Sequence, residues 1–197
     1  RGMTEITKPH AEWAVVDRLR SLLNEPAHAE YNVTQAYGLC VAILAWVMQR
    51  VRTPDSRASS AEDRAAIAAR KSLEQQHVEA LPWGLKTQGP AGQGAEHGAF
   101  KDFSAFDFLK WLRDATCHGD ARQVTPSNLG GSLVGFEIRA TARGDHERSL
   151  VLSERDLRRI GNALATVYCE ALQSAASNSP DHFATDARSM REERKAA

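Results

Sequence analysis

Three residues near the middle of the chain have the types and spacing for phosphate chemistry: Arg113, Asp114 and His118. An arginine offers a planar fork of N–H donors that matches a phosphodiester and stabilises charge building on its oxygens. A histidine titrating near neutrality can take the proton of a ribose 2′-OH or give one to a leaving 5′-oxygen. Together these two functions suffice for transesterification without a metal. On a straight helix Arg113 and His118 diverge by about 140°, so they flank a groove rather than share a line. Asp114 and His118 are one helical turn apart and neighbours on the surface. There the carboxylate can hold the imidazole in one tautomer and favour its protonated form.

The element that must present these groups is a helix over about 106–118. Ser104 and Asp107 have the spacing of a capping box at its start, and Gly119 stands where a left-handed residue closes a helix. Phe106, Leu109 and Leu112, widened by Phe108 and Ala115, form the stripe that faces a core. Cys117 reads as packing and Asp120 as a turn residue.

The run Arg113-Asp114-Ala115-Thr116-Cys117-His118 resembles the motif of the HEPN superfamily, an arginine, a polar residue, a short spacer and a histidine near a helix end. Gly119-Asp120, the lead-in Phe108-Leu109-Lys110-Trp111-Leu112 and the later Leu152-Ser153-Glu154-Arg155-Asp156-Leu157 also look like a bacterial branch of it. The likeness spans about residues 10–175, and many relatives carry asparagine where this chain has Asp114. The resemblance implies a helical bundle, and in its catalytic members a metal-independent RNA endonuclease of toxin or defence type. It also implies products ending in a 2′,3′-cyclic phosphate and a 5′-hydroxyl, and a homodimer whose two motif helices meet in one cleft. The apolar surplus of Phe108 and Trp111 suits such an interface. An antitoxin or a nucleotidyltransferase-type protein is a further partner of the kind the family implies. The alternative is a non-catalytic module of the same superfamily that binds RNA, a nucleotide or a partner protein.

The chain has 197 residues, 42% hydrophobic and 25% charged. Lys+Arg and Asp+Glu each number 25, so no global basic field announces nucleic acid and any RNA site must be local. Cys40, Cys117 and Cys169 are far apart and odd in number, which suits a reducing cytoplasm better than a disulfide framework. Neither they nor His10, His28, His77, His97, His146 and His182 have metal-ligand spacing, so no metal or cofactor is expected. Met3 reads as the native start.

Around the motif the spacing predicts one helical domain over residues 4–176 and a flexible or short helical tail over 177–197. A first helix covers about 11–24, with Trp13, Val16, Leu19, Leu22 and Leu23 at core spacing. A second, over 32–52, is apolar or small from Ala36 to Met48, as a central bundle helix would be, with Tyr37, Trp46 and Met48 in the core. It falls short of a membrane span, so no membrane association is expected. Arg50 and Arg52 close it as complements to its dipole. A third helix is expected over 60–80 with Ile67, Leu73, Val78 and Leu81 as its apolar contribution. The glycine-rich stretch 82–98 lacks phosphate-loop spacing and reads as a loop. After the motif, 124–131 reads as a connection, and 133–140 with 148–152 as a small inserted β-hairpin turning at Arg143-Gly144-Asp145. A last helix follows, capped by Ser153 and Asp156, with Leu157, Ile160, Leu164, Val167, Ala171 and Leu172 as its stripe. Arg139, Arg143, Arg148, Arg155, Arg158 and Arg159 make either a backbone-binding surface or, with interleaved acids, an ordinary mixed-charge face.

Overall fold

The computed structural model describes residues 11–26, 31–54, 60–85, 94–95, 99–117, 123–141 and 147–177. Among these residues there are five helices, α1 (Ala11–Asn24), α2 (Asn32–Val51), α3 (Ala61–Gln75), α4 (Ala105–Cys117) and α5 (Glu154–Ser177). Four strands accompany them, β1 (Gly94–Ala95), β2 (Val124–Leu129), β3 (Ser132–Thr141) and β4 (Glu147–Ser153). The protein is therefore mainly helical with one antiparallel sheet, in the order β1-β4-β3-β2. The expected tail beyond Ser177 and the expected turn at Arg143 lie outside the described residues.

Three helices begin with the same device. Ser60, Ser104 and Ser153 each accept a hydrogen bond from the backbone N–H of the aspartate three places on, at 3.0, 3.1 and 3.3 Å. Each serine hydroxyl also donates to that aspartate, at 2.8, 2.7 and 2.6 Å. The pairing satisfies orphan N–H groups and sets a negative charge at the positive end of the helix dipole.

Helix α5 packs against α1, α2 and α3. Leu157, Ile160, Leu164, Tyr168 and Leu172 are all buried on it. A polar tie crosses this bundle: the Tyr168 hydroxyl donates to Glu12 at 2.6 Å, and Arg50 pairs with Glu12 at 2.8 Å and with Asp63 at 3.6 Å. Those four residues come from α5, α1, α2 and α3, so the tie fixes the mutual register of helices that apolar contacts alone would let slide.

The expected hairpin is present, with β3 pairing antiparallel to β4 from Gly135↔Ser153 to Thr141↔Glu147, but the sheet is larger, because the expected connection over 124–131 is itself a strand. Residues 124–131 form β2 and its turn, paired with β3 from Val124↔Ile138 to Leu129↔Ser132. Gly130 and Gly131 hold φ of 58° and 83°, the paired positive φ of a tight two-residue hairpin turn. Pro126 sits in this edge strand, where a missing N–H costs no ladder bond. Gly135 on β3 is required by close approach, since a Cβ there would lie 2.3 Å from the Leu152 carbonyl oxygen. One face of the sheet packs inward through Ile138, Leu150 and Leu152 and through Phe136, whose ring lies 4.4 Å from that of Tyr37 on α2. Glu137, Arg139 and Thr141 alternate to the other face, as in a sheet wetted on one side.

Three further expectations change. Helix α3 stops at Gln75, because the next segment pairs instead with the approach to α4: Val78 N–H donates to Phe103 O at 3.3 Å and Ala105 N–H to Gln76 O at 2.7 Å. Leu81 is left 84% exposed and Ile67 37%. On α2, Met48 is buried and Tyr37 partly so, while Trp46 is 41% exposed, so this helix has one open side. Leu22 on α1 is likewise exposed.

Burial pushes the Cys40 thiol from 9.0 up to about 12, and burial together with the neighbouring Glu12 carboxylate pushes the Tyr168 phenol up. Both groups stay neutral in the folded chain where the unfolded chain has released its proton. Their stabilising effect is intact below their unfolded values and disappears as pH rises. Urea unfolding should show stability falling above pH 9, with Cys40 contributing about 1.4 kcal/mol per pH unit up to its folded value. Cys40→Ala should flatten that slope, and an unchanged slope would contradict the assignment.

Candidate functional site

Helix α4 is rotated by its apolar face. Phe106, Phe108, Leu109, Trp111, Leu112 and Ala115 are all buried. The Phe100 ring packs edge-on against Phe103, Phe108 and Trp111 at centroid distances of 5.3, 5.5 and 4.9 Å, and the Trp111 indole N–H donates to the Ala140 carbonyl at 3.2 Å. Phe108 and Trp111, read from the sequence as surplus for an interface, are thus used within this chain. What remains of α4 is a polar strip, Asp107, Lys110, Arg113 and Asp114, that lines a cleft of about 860 Å³. Arg52, Gln123 and Thr141 also line it.

In this cleft Arg113 Nη1 donates to Asp114 Oδ1 at 2.9 Å, and Arg52 Nη1 donates to the same oxygen at 3.1 Å. The side chains of Arg113, Asp114 and Arg52 are 22%, 37% and 40% exposed, so the cluster is walled in but open to a ligand. Among the described residues, Arg113 Nε and Gln123 Oε1 are buried without a hydrogen-bond partner. Both residues line the cleft, but these two atoms are themselves closed to solvent, where an unmatched polar group is costly.

Arg52 is the residue that sequence reasoning missed. It stands 62 positions from Asp114, beyond any local spacing rule, and its position at a helix C-terminus accounts for it without a partner. Its backbone is held as well: Arg70 Nη1 donates to the Arg52 carbonyl at 2.9 Å. Arg70 in turn lies 4.7 Å over the Phe106 ring and pairs with Glu74 at 2.7 Å. One α3 arginine therefore joins the end of α2 to the start of α4.

Of the three residues singled out from the sequence, Arg113 and Asp114 line the cleft, and Asp114 binds the two arginines. His118 follows Cys117 directly in the chain but lies outside the described residues, as do Gly119 and Asp120. Cys117 is exposed, whereas Cys40 and Cys169 are buried. The Tyr37 phenol is pushed up by burial and then by the nearby Cys117 and Cys40 thiols, so the end of α4 lies beside α2.

Among the described residues, four of the arginines after the motif have partners within the chain. Arg139 pairs with Glu137 at 2.6 Å, Arg158 with Glu154 at 2.8 Å and Arg159 with Asp156 at 2.7 Å. Arg148 turns inward, 4.7 Å over the Phe103 ring, and donates to the Ala99 carbonyl at 2.7 Å. Arg143 lies outside the described residues. Among the described residues no three His, Cys, Asp or Glu side chains gather as metal ligands would, and no helix is long and apolar enough to cross a membrane.

A thiol reagent tests the placement of α4 beside its neighbours. Native protein should be labelled rapidly at Cys117 alone, with Cys40 and Cys169 reacting only in denaturant. Fast native labelling of all three would contradict the packing of α2 and α5.

Comparison with protein-family models, with curated proteins and with solved structures returns no match.

Proposed function

We propose that this protein is a metal-independent RNA endonuclease of HEPN type, cutting by attack of the ribose 2′-OH on the adjacent phosphodiester. The observation that carries the reading is Arg113: its guanidinium lines a cleft beside Asp114, five residues before a histidine in the sequence. In this mechanism Arg113 binds the scissile phosphate and stabilises charge on its oxygens as the phosphorane forms. His118 takes the 2′-OH proton or protonates the departing 5′-oxygen. Asp114 positions the arginine and tunes the histidine.

A single histidine cannot readily do both transfers in one step, so the reading includes a homodimer with a histidine from each copy at the site. A toxin or defence role, and an antitoxin or nucleotidyltransferase-type partner, belong to the same reading. One observation favours the second reading, a non-catalytic module that holds RNA, a nucleotide or a partner protein: the Asp114 carboxylate already draws on Arg113 and Arg52, which weakens their hold on a reacting phosphate.

Incubation of mixed RNA with the purified protein in EDTA, followed by determination of end chemistry, separates the two. Catalysis predicts 2′,3′-cyclic phosphate ends, and a loss of at least about 100-fold in rate with Arg113→Ala or His118→Ala. RNA bound without cleavage supports the second reading. Cleavage by wild type and both variants at equal rates would overturn the site.

A further inference from the structure

The cleft holds a second guanidinium that the cleavage chemistry does not require. Arg52 comes from the end of α2 and Arg113 from α4, yet both point an N–H at one oxygen of Asp114, at 3.1 and 2.9 Å. Two guanidiniums brought this close repel one another, and the carboxylate between them offsets that repulsion. A carboxylate oxygen and a phosphate oxygen are the same kind of acceptor, and arginine forks suit both. We propose that Arg52 and Arg113 form a paired guanidinium site for a phosphodiester of single-stranded RNA, with Asp114 as the internal anion that holds the pair together in the absence of ligand. The proposal rests on reading this cleft as an RNA site, and it identifies Arg52 as a phosphate-binding residue of that site.

Two observations support the pairing, and a third sets the sign of one test. Each guanidinium carries five N–H groups, and the shared oxygen takes one from each, so donors remain for a phosphate on side chains that are 22% and 40% exposed. Arg52 does not hang from a loose helix end, since Arg70 anchors its carbonyl at 2.9 Å while resting 4.7 Å over Phe106 of α4. The two arginines are therefore held in a fixed relation by the backbone and by Asp114. Finally, Lys110 extends the basic side of the wall, while Asp102, Asp107 and Asp114 balance it. Three cations facing three acids make a cleft of no net charge, in which the Asp114 charge directly opposes an incoming phosphate.

This arrangement predicts effects of opposite sign from neighbouring residues, which general loss of structure does not produce. The probe is a fluorescently labelled short RNA with 2′-fluoro riboses, which lacks the attacking hydroxyl; its affinity is measured by anisotropy in EDTA over a range of potassium chloride. Arg52→Gln should weaken binding about tenfold, as loss of a charged hydrogen bond does. It should also reduce the slope of log K against log salt by about 0.7, one phosphate contact on a single strand. Arg52→Lys should restore the slope. Asp114→Asn keeps an acceptor for both arginines but removes the charge, and should tighten binding about fivefold.

An Arg52→Gln protein with wild-type affinity and slope would overturn the paired site while leaving the nuclease reading intact, provided Arg113→Ala still loses binding. If Arg52→Gln fails to fold, Asp114→Asn decides, and binding no tighter than wild type overturns the proposal. Wild-type protein that neither binds the probe nor cuts RNA removes the RNA reading and the paired site with it.

Discussion

The site depends on the rotation of α4 about its own axis. That rotation is fixed because the helix has almost no spare apolar surface: Phe106, Phe108, Leu109, Trp111, Leu112 and Ala115 are each at most 6% exposed. The Phe100 ring cluster and the hydrogen bond from Trp111 to Ala140 hold the same stretch of the helix. A rotation of one residue position, about 100°, would bury charge and expose aromatic rings. With the apolar face fixed, Asp107, Lys110, Arg113 and Asp114 can face only the cleft. The orientation of Arg113 and Asp114 is thus a consequence of packing, and the sheet takes part because β3 supplies the carbonyl that Trp111 meets.

The polar contacts in the cleft act on geometry more than on stability. Ion pairs as open as Arg52 with Asp114 contribute at most about 1 kcal/mol each. Their effect is to set two guanidiniums at a fixed distance before any ligand arrives, which reduces the ordering cost of binding. Arg70 extends that order by linking the last carbonyl of α2, a ring of α4 and its own helix. The Glu12, Arg50, Asp63 and Tyr168 tie acts on the same end of α2, through Arg50 two residues before Arg52, so the helix end that carries Arg52 is held from two sides of the sequence.

Much of this was legible in the sequence where local rules apply. The capping serines at 104 and 153 and the apolar stripes of α4 and α5 follow from spacing alone, and Ser60 with Asp63 carries the same signal. Strand β2 was not legible: Thr125, Pro126, Ser127 and Asn128 have turn composition, and only pairing with β3 makes them extended. Likewise α3 ends where residues 76–78 find partners at 103–105, a tertiary contact with no periodic signature. Trp46 and Leu81 look like core residues, but their burial depends on which helix sides remain open. In the site, Arg113 and Asp114 could be chosen from one helix, whereas Arg52 could not, because its role appears only when α2 and α4 meet.

The most direct test of this account is the side-chain Nε–Hε resonance of Arg113 in 15N-labelled protein, followed by NMR as non-cleavable 2′-fluoro RNA is added. A phosphate at the guanidinium predicts a saturable shift of that resonance, because a charged acceptor on the neighbouring Nη groups changes the electronic environment of the whole guanidinium. An Arg113 resonance that stays in place while the RNA binds would contradict the assignment of this cleft to the phosphate.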